Sequence, residues 1–373
     1  MRPRVGLIIN PLAGAGGKLG LHGSDGLVGM ASTWSNERAA LALSSFGAGS
    51  EIEWLSGPGS MGADLLRVVG AEPQVLTLGH AGSSGAADTQ ALASQMQQVG
   101  LDLLLFAGGD GTARDVMAGF LAQADAAVPV LGIPAGVKMQ SACFAVSPAA
   151  GGRLAVAFLA TSRRCTEARE VMDLDEAALR RGQVLPSLHG YLATPTDPRL
   201  LQGRKTRSAP ADGEAAAALA ASLLPELRTG VHLIGPGSTT WAMKAALGVK
   251  GSLIGVDVVV DGRLGLRDAN EAQLLALLAG MAGRARLWLT AIGGQGHVIG
   301  RGNAPLSARV LRRLGSAALT VVMTPAKLQA LAGQYGGVLR VDSACAEVDA
   351  LFSGPVRVLT GPRDRAMLRL VAE

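Results

Sequence analysis

The sequence predicts an α/β fold whose first half is a doubly wound parallel sheet, and three observations carry that reading. Short, continuous apolar runs such as "RVGLII" and "LLLFAG" have the length and composition of strands buried on both faces. Helical stretches alternate with them, as the crossovers between parallel strands require. Glycine-rich loops follow several of the runs, where a strand has to turn into a helix. The 373 residues are enough for two domains, since a single core rarely outgrows about 250 to 300 residues.

In chain order the patterns predict strand 4–9, a glycine loop, a helix near 33–45, and strands near 51–55 and 74–78. A helix at 86–99, strand 101–107, helix 112–124, strand 128–133 and helix 150–161 follow. Beyond residue 165 the texture changes. Charged "REVMDLDEAALRRGQ" leads into "TDPRLLQGRKTRSAPADGEA", a polar stretch that reads as a long exposed loop. The expected domains are therefore 1–165 and 166–373. Apolar runs at 231–235, 253–260, 285–290 and 318–323, with Ala/Leu-rich helices such as 271–282 between them, give the second domain a mixed, β-rich α/β character. The last segment, "VRVLTGPRDRAMLRLVAE", reads as strand then helix, and residues 341–373 can join either domain.

Hydrophobic residues make up 49% of the chain, charged residues 17%, and glycine contributes 51 positions, a composition of buried strands and tight loops rather than of disorder. No apolar run approaches the ~18 to 20 residues of a membrane span. The apolar patch near the N-terminus breaks at Asn10 and Pro11, too early for a signal-peptide core. Cys143, Cys165 and Cys345 form no CxxC pair, so neither a zinc site nor a disulfide framework is indicated, and a reducing cytoplasm is the expected location. The net charge of +5 comes from scattered basic residues, and aromatic residues are only 3% of the chain. That pattern suits small anions better than nucleic acid, which is usually gripped with stacking side chains.

In open α/β sheets ligands bind beyond the carboxyl ends of the strands, and three loops there qualify. "NPLAGAGGK", 10–18, is neither a Walker A loop, because Leu12 and Leu19 stand where Gly and Ser/Thr are needed, nor a GxGxxG loop. Asn10, Gly14 and Gly16 belong either to an anion-binding backbone loop or to a sharp turn. In "GGDGT", 108–112, Gly108 and Gly109 permit close approach of the backbone, and the following helix aims its free amides at the same space. Asp110 beside a bound phosphate makes sense if Mg²⁺ intervenes or if a substrate hydroxyl donates to it; an Asx-type turn is the structural alternative. Thr112 is placed to cap the helix. The third loop is "PAGVKMQS", 134–141, with Lys138 at the sheet's edge.

"GGDGT" after an apolar strand, together with "NPxAG" after the first strand, resembles the superfamily of NAD kinases, diacylglycerol kinases and sphingosine-type lipid kinases. The strings "GGDGTARDV", "GIPAGVKMQSACFAVSP", "IGPGSTT" and "GGQGHVIGRGN" look more narrowly like the branch of predicted ATP-NAD kinases that includes the acetoin-catabolism X-type proteins. The resemblance implies an N-terminal Rossmann-like domain and a C-terminal substrate domain with the site between them. It makes Asp110 the catalytic aspartate and a Mg²⁺ contact, with Gly108, Gly109, Gly111 and Thr112 along the nucleotide phosphates. It also makes Gly237, Ser238 and Thr239 of "GPGSTT" ligand contacts, although Ser238 or Thr239 could equally cap the helix "TWAMKAAL". The implied reaction transfers a phosphoryl group from ATP or polyphosphate to NAD, giving NADP. A homo-oligomer is the expected state, with no nucleic-acid or membrane partner.

Two departures qualify the match. The Asn-Glu pair with which NAD kinases grip adenosine has only Arg169–Glu170 as its nearest equivalent, while Asn270–Glu271 falls in an Asp268-x-x-Glu271 helix capping box. Lys138 stands where those enzymes carry Asn, and could offset phosphate charge or pair with Asp110. In "TAIGGQGHVIGRGN", 290–303, Arg301 and Asn303 are anion-binding candidates and His297 reads as a packed strand residue. A kinase of the same fold with another small hydroxylated acceptor, or a non-catalytic NAD/ATP sensor, therefore stays open beside the NAD kinase reading. Asp110→Asn is expected to fold and to abolish transfer.

Overall fold

The structure, a computed structural model, describes residues 2–14, 33–47, 51–78, 85–121, 128–136, 139–174, 186–197, 200–201, 210–280, 284–291, 296–335 and 337–372. The chain forms two compact units, the first taking residues up to 204 and the second those from 205 onward, apart from a short stretch of 17–22.

The first unit is built on five strands, β1 (Arg4–Ile9), β2 (Glu53–Ser56), β3 (Gln74–Val75), β4 (Leu103–Gly108) and β5 (Val130–Pro134). All pair in parallel, in the order β3-β2-β1-β4-β5. Residues 5–9 of β1 and all six residues of β4 are buried, which is why these strands read as unbroken apolar runs. Helices α1 (Trp34–Leu43) and α5 (Pro148–Ala160) pack together against one face, and α3 (Ala86–Val99) and α4 (Asp110–Leu121) pair on the other; α2 (Ala63–Val68) lies between β2 and β3 in sequence. This is the doubly wound arrangement expected, with a Rossmann-type strand order. Asp110 opens α4 two residues before the expected start, because the Gly109 carbonyl already accepts from Ala113 N at 3.0 Å.

The domain boundary expected near 165 is displaced. Residues 166–174 and 186–195 form a long antiparallel ribbon, β6 (Thr166–Leu174) and β7 (Pro186–Pro195), that packs on α4 and β5 and so belongs to the first unit. The polar stretch expected as a loop lies partly outside the described residues, and from Pro210 it is helical, as α6 (Pro210–Leu227).

The second unit carries β8 (Val231–Ile234), β9 (Asp257–Val260), β10 (Arg263–Leu266), β11 (Ala285–Leu289), β12 (His297–Ile299), β13 (Leu319–Val322), β14 (Val338–Val341), β15 (Gly354–Leu359) and β16 (Arg365–Ala372). Among the described residues they form one mixed sheet in the order β10-β9-β8-β11-β13-β15-β16-β14-β12, whose central strands β8, β11, β13 and β15 run parallel. Its helices are α7 (Ser238–Ala246), α8 (Glu271–Leu278), α9 (Ala308–Leu314), α10 (Pro325–Tyr335) and α11 (Ala346–Phe352). The chain's last segment is a β-hairpin rather than strand then helix, and it lies inside this sheet: β15 pairs with β13 and β16 with β14. Residues 341–373 thus stay with the second unit.

A buried ion pair braces this unit. Lys244 on α7 and Asp257 at the start of β9 are both fully buried, with Nζ 2.8 Å from Oδ2. The ammonium also donates to the carbonyls of Ser252 at 2.7 Å and Gly255 at 3.2 Å, and the carboxylate accepts from Ser252 N and Asp268 N. Burial lowers the lysine pKa, opposed by Asp257.

Candidate functional site

In the first unit the chain leaves β1 toward β2 on one side, whereas β4 leads to β5 on the other. The switch point therefore lies between β1 and β4, and in open α/β sheets ligands bind at the carboxyl ends beside it. Asn10 follows β1, and "GGDGT" follows β4. The two loops are joined directly: Asn10 Nδ2 donates to Thr112 Oγ1 at 2.9 Å, and Asn10 N to the Ala107 carbonyl at 3.0 Å. Thr112 is thus a tie to the first loop rather than a helix cap, since α4 begins before it. Asn10 Oδ1 accepts from Leu12 N at 3.0 Å, closing an Asx turn. Gly14 sits at φ +78, where a side chain would meet the Trp34 ring, so its glycine is required by the turn and the packing.

Asp110 is buried, with 6% exposure, and both carboxylate oxygens are engaged. Oδ2 accepts from Gln140 N at 2.6 Å, and Oδ1 from Ser141 N at 2.9 Å and Ser141 Oγ at 2.6 Å. These partners lie about thirty positions away, so the local Asx turn weighed for Asp110 is not its anchor. Ser141 Oγ in turn accepts from Met172 N of β6 at 3.0 Å, which couples the carboxylate to the ribbon. Gly109 and Gly136 pack backbone to backbone: a Cβ on Gly136 would stand 2.7 Å from the Gly109 Cα. The bond from Gly136 N to the Gly108 carbonyl at 2.9 Å fixes that approach. A Cβ on Gly108 would collide with Thr112, whereas one on Gly111 would meet nothing within 4 Å among the described residues.

The sequence pointed to Asp110 and to the loop 134–141, but not to Ser141, whose contact lies 31 positions from the aspartate. Lys138, Gly16 and the Arg301 side chain lie outside the described residues. Cys143, close by, is fully buried, and burial together with the Asp110 charge pushes its thiol far above the ordinary range. Cys165 is exposed. Thiol labelling of the native protein at mildly alkaline pH is expected to modify Cys165 first and to spare Cys143 until the chain unfolds; equal rates at both would contradict this placement.

In the second unit, Gly237 precedes α7 at φ +124, and neither Ser238 nor Thr239 caps the helix, which already includes both. Thr239 is 1% exposed, and its hydroxyl accepts from Lys327 Nζ at 2.9 Å. Lys327 is half-buried in the first turn of α10, and burial lowers its pKa to about 8 against the opposing charge of Asp212. In the unfolded chain the same group titrates near about 10.4. The charged lysine therefore costs stability; the cost is fully present below about pH 8 and fades as the pH rises toward about 10.4. Lys327→Met is expected to raise Tm at about pH 7, and the gain should shrink across that alkaline window; a lower Tm at neutral pH would refute it.

Asn303 spends its amide on the backbone, accepting from Gly300 N at 2.9 Å and donating to the Val298 carbonyl at 2.8 Å, so it braces its loop instead of facing a ligand. His297 is buried on β12, as expected. Asn270 is the true N-cap of α8, in a reciprocal box with Gln273 rather than through the expected Asp268–Glu271 pair. Glu271 accepts from Ser307 Oγ at 2.6 Å.

A doubly wound sheet with glycine loops and a fixed carboxylate at its switch point defines a ligand-binding α/β unit. Residues 5–162 match the ATP-NAD kinase N-terminal domain, and residues 231–370 match the ATP-NAD kinase C-terminal domain. The chain belongs to the ATP-NAD kinase family, and is a kinase of NAD kinase type, a family with ATP as phosphoryl donor. Comparison with the curated proteins and with the solved structures gave no match. Among the described residues, no helix is long and apolar enough to cross a membrane.

Proposed function

We propose that the protein transfers a phosphoryl group from ATP to the 2′-hydroxyl of NAD, giving NADP, with Asp110 as the residue that orients the acceptor hydroxyl. The observation that carries this reading is the three-donor clamp on Asp110 at the switch point. Phosphoryl transfer goes through a loose transition state, so in-line positioning and charge stabilisation matter more than base strength. A carboxylate fixed by the Gln140 and Ser141 amides is suited to that task. It would hold the hydroxyl in line and take up its proton late in the transfer. The amides at the start of α4, that of Gly111 among them, would face the negative charge on the phosphates.

Among the described residues no group of three or more His, Cys, Asp or Glu side chains could cage a metal. That donor set fits a Mg²⁺ carried mainly by nucleotide phosphates, with Asp110 the protein carboxylate beside it, as is usual for this ion. Bound there, it would supply neutralisation of phosphate charge; polyphosphate remains the alternative donor. We place the protein in the cytoplasm, following its three cysteines without a CxxC pair, and expect a homo-oligomer.

A second reading, a kinase of the same fold with a different small hydroxylated acceptor, is favoured by one observation. Asn270 and Glu271, an Asn-Glu pair in the second unit, are occupied in capping α8 and in holding Ser307. A panel of hydroxylated acceptors incubated with labelled ATP separates the two: label on NAD alone supports the first, and label on another acceptor with NAD untouched supports the second.

A further inference from the structure

Two successive side chains at the start of α1 each reach a strand-end loop of the first unit. Ser35, fully buried, donates from Oγ to the Ala13 carbonyl at 2.8 Å, in the loop after β1. Trp34 donates from Nε1 to the Ala135 carbonyl at 3.0 Å, in the loop after β5. Ala135 is fully buried, so its carbonyl needs a donor, and among the described residues the indole is the one it has. The bond lies against Gly14: a Cβ there would stand 2.3 Å from Trp34 Cδ1 and 2.7 Å from the Ala135 oxygen. Arg38, one helical turn on and 1% exposed, covers the ring, with its guanidinium carbon 5.2 Å from the ring centroid.

The Ala135 peptide leads to Asp110. Its N–H donates to the Gly108 carbonyl at 2.9 Å, as does that of Gly136, which packs on Gly109. Further along the same loop, the amides of Gln140 and Ser141 donate to the Asp110 carboxylate. One end of the loop 134–141 is thus held by the indole, and the other end clamps the carboxylate. An indole nitrogen can only donate, so the bond has one sense and one geometry.

We propose that Trp34 is a positioning residue for the transfer reaction: its indole N–H latches the loop 134–141 to the loop after β1 and so sets the place of the Asp110 carboxylate. The part in transfer rests on the kinase reading of Asp110; the latch rests on Trp34, Gly14 and Ala135. The test compares the full-length wild type with Trp34→Phe, Ser141→Ala and the double variant. Phenylalanine keeps a ring against Gly14 and beneath Arg38 and removes only the donor.

Hydrogen exchange read by mass spectrometry reports on the latch without any reaction. In Trp34→Phe the amides of 135–141 should exchange at least tenfold faster, a larger change than in β1 or β4. An equal change throughout the first unit, or none at 135–141, overturns the latch. In the transfer assay, kcat of Trp34→Phe should fall several-fold at unchanged KM for ATP. The double variant should lose less than the product of the two single losses, because both changes act on one carboxylate. A raised KM with wild-type kcat, or losses that multiply, overturns the positioning role. A wild type that transfers nothing refutes the kinase reading and that role with it, whereas the exchange rates decide the latch on their own.

Discussion

Asp110→Asn is expected to lower phosphoryl transfer by at least about 10²- to 10⁴-fold, the range over which a positioned acid-base group contributes. The sequence alone suggested that this variant would fold as well as the wild type. The structure corrects that expectation. Gln140 N, Ser141 N and Ser141 Oγ all donate to the carboxylate, so the amide NH₂ of Asn must face at least one donor, costing about 1–3 kcal/mol. The variant should therefore melt at lower temperature and still be folded at 25 °C. Ser141→Ala supplies the control: it keeps the carboxylate but loses the link from Asp110 to Met172 of β6. It is expected to reduce kcat with little change in KM for ATP, as a positioning residue should. Wild-type turnover in Asp110→Asn would remove the aspartate from the mechanism.

Lys244→Ala is expected to be the most destabilising single change considered, at about 3–5 kcal/mol, because it leaves Asp257 as an uncompensated buried charge. The two carbonyls that Lys244 Nζ satisfies, those of Ser252 and Gly255, lose their donor at the same time. Denaturant unfolding followed by circular dichroism reads this directly; a loss below about 1 kcal/mol would show that water or a neighbouring donor replaces the ammonium. Asp257→Ala is expected to be comparably costly, since the amides of Ser252 and Asp268 then lose their acceptor.

The parts of the fold that burial dictates were legible in the sequence. β1, β4 and β5 are buried along nearly all their length, and a run of apolar residues is the direct imprint of that environment. The ribbon of β6 and β7 left no such imprint, because Thr166–Ala168 and Ser187–His189 are exposed and a two-stranded element has no fully covered face. β16 was read as a helix because "AMLRLVAE" is short and Leu-rich; its alternation, with Arg365, Met367 and Arg369 exposed, is that of a strand covered on one side.

The candidate site divides in the same way. Asp110 stood out because glycines at a strand end are local in sequence. Ser141 and Lys327 did not, because each acts through a partner far along the chain, 31 positions away for Ser141 and 88 for Lys327.

The central claim is that this protein phosphorylates a small hydroxylated acceptor at Asp110, with NAD as that acceptor. Incubation of the wild-type protein with Mg²⁺, γ-labelled ATP and NAD, followed by chromatography, tests it most directly. Label recovered in NADP, and lost in Asp110→Asn, is the predicted result. NAD recovered unlabelled while the protein binds both nucleotides would contradict it.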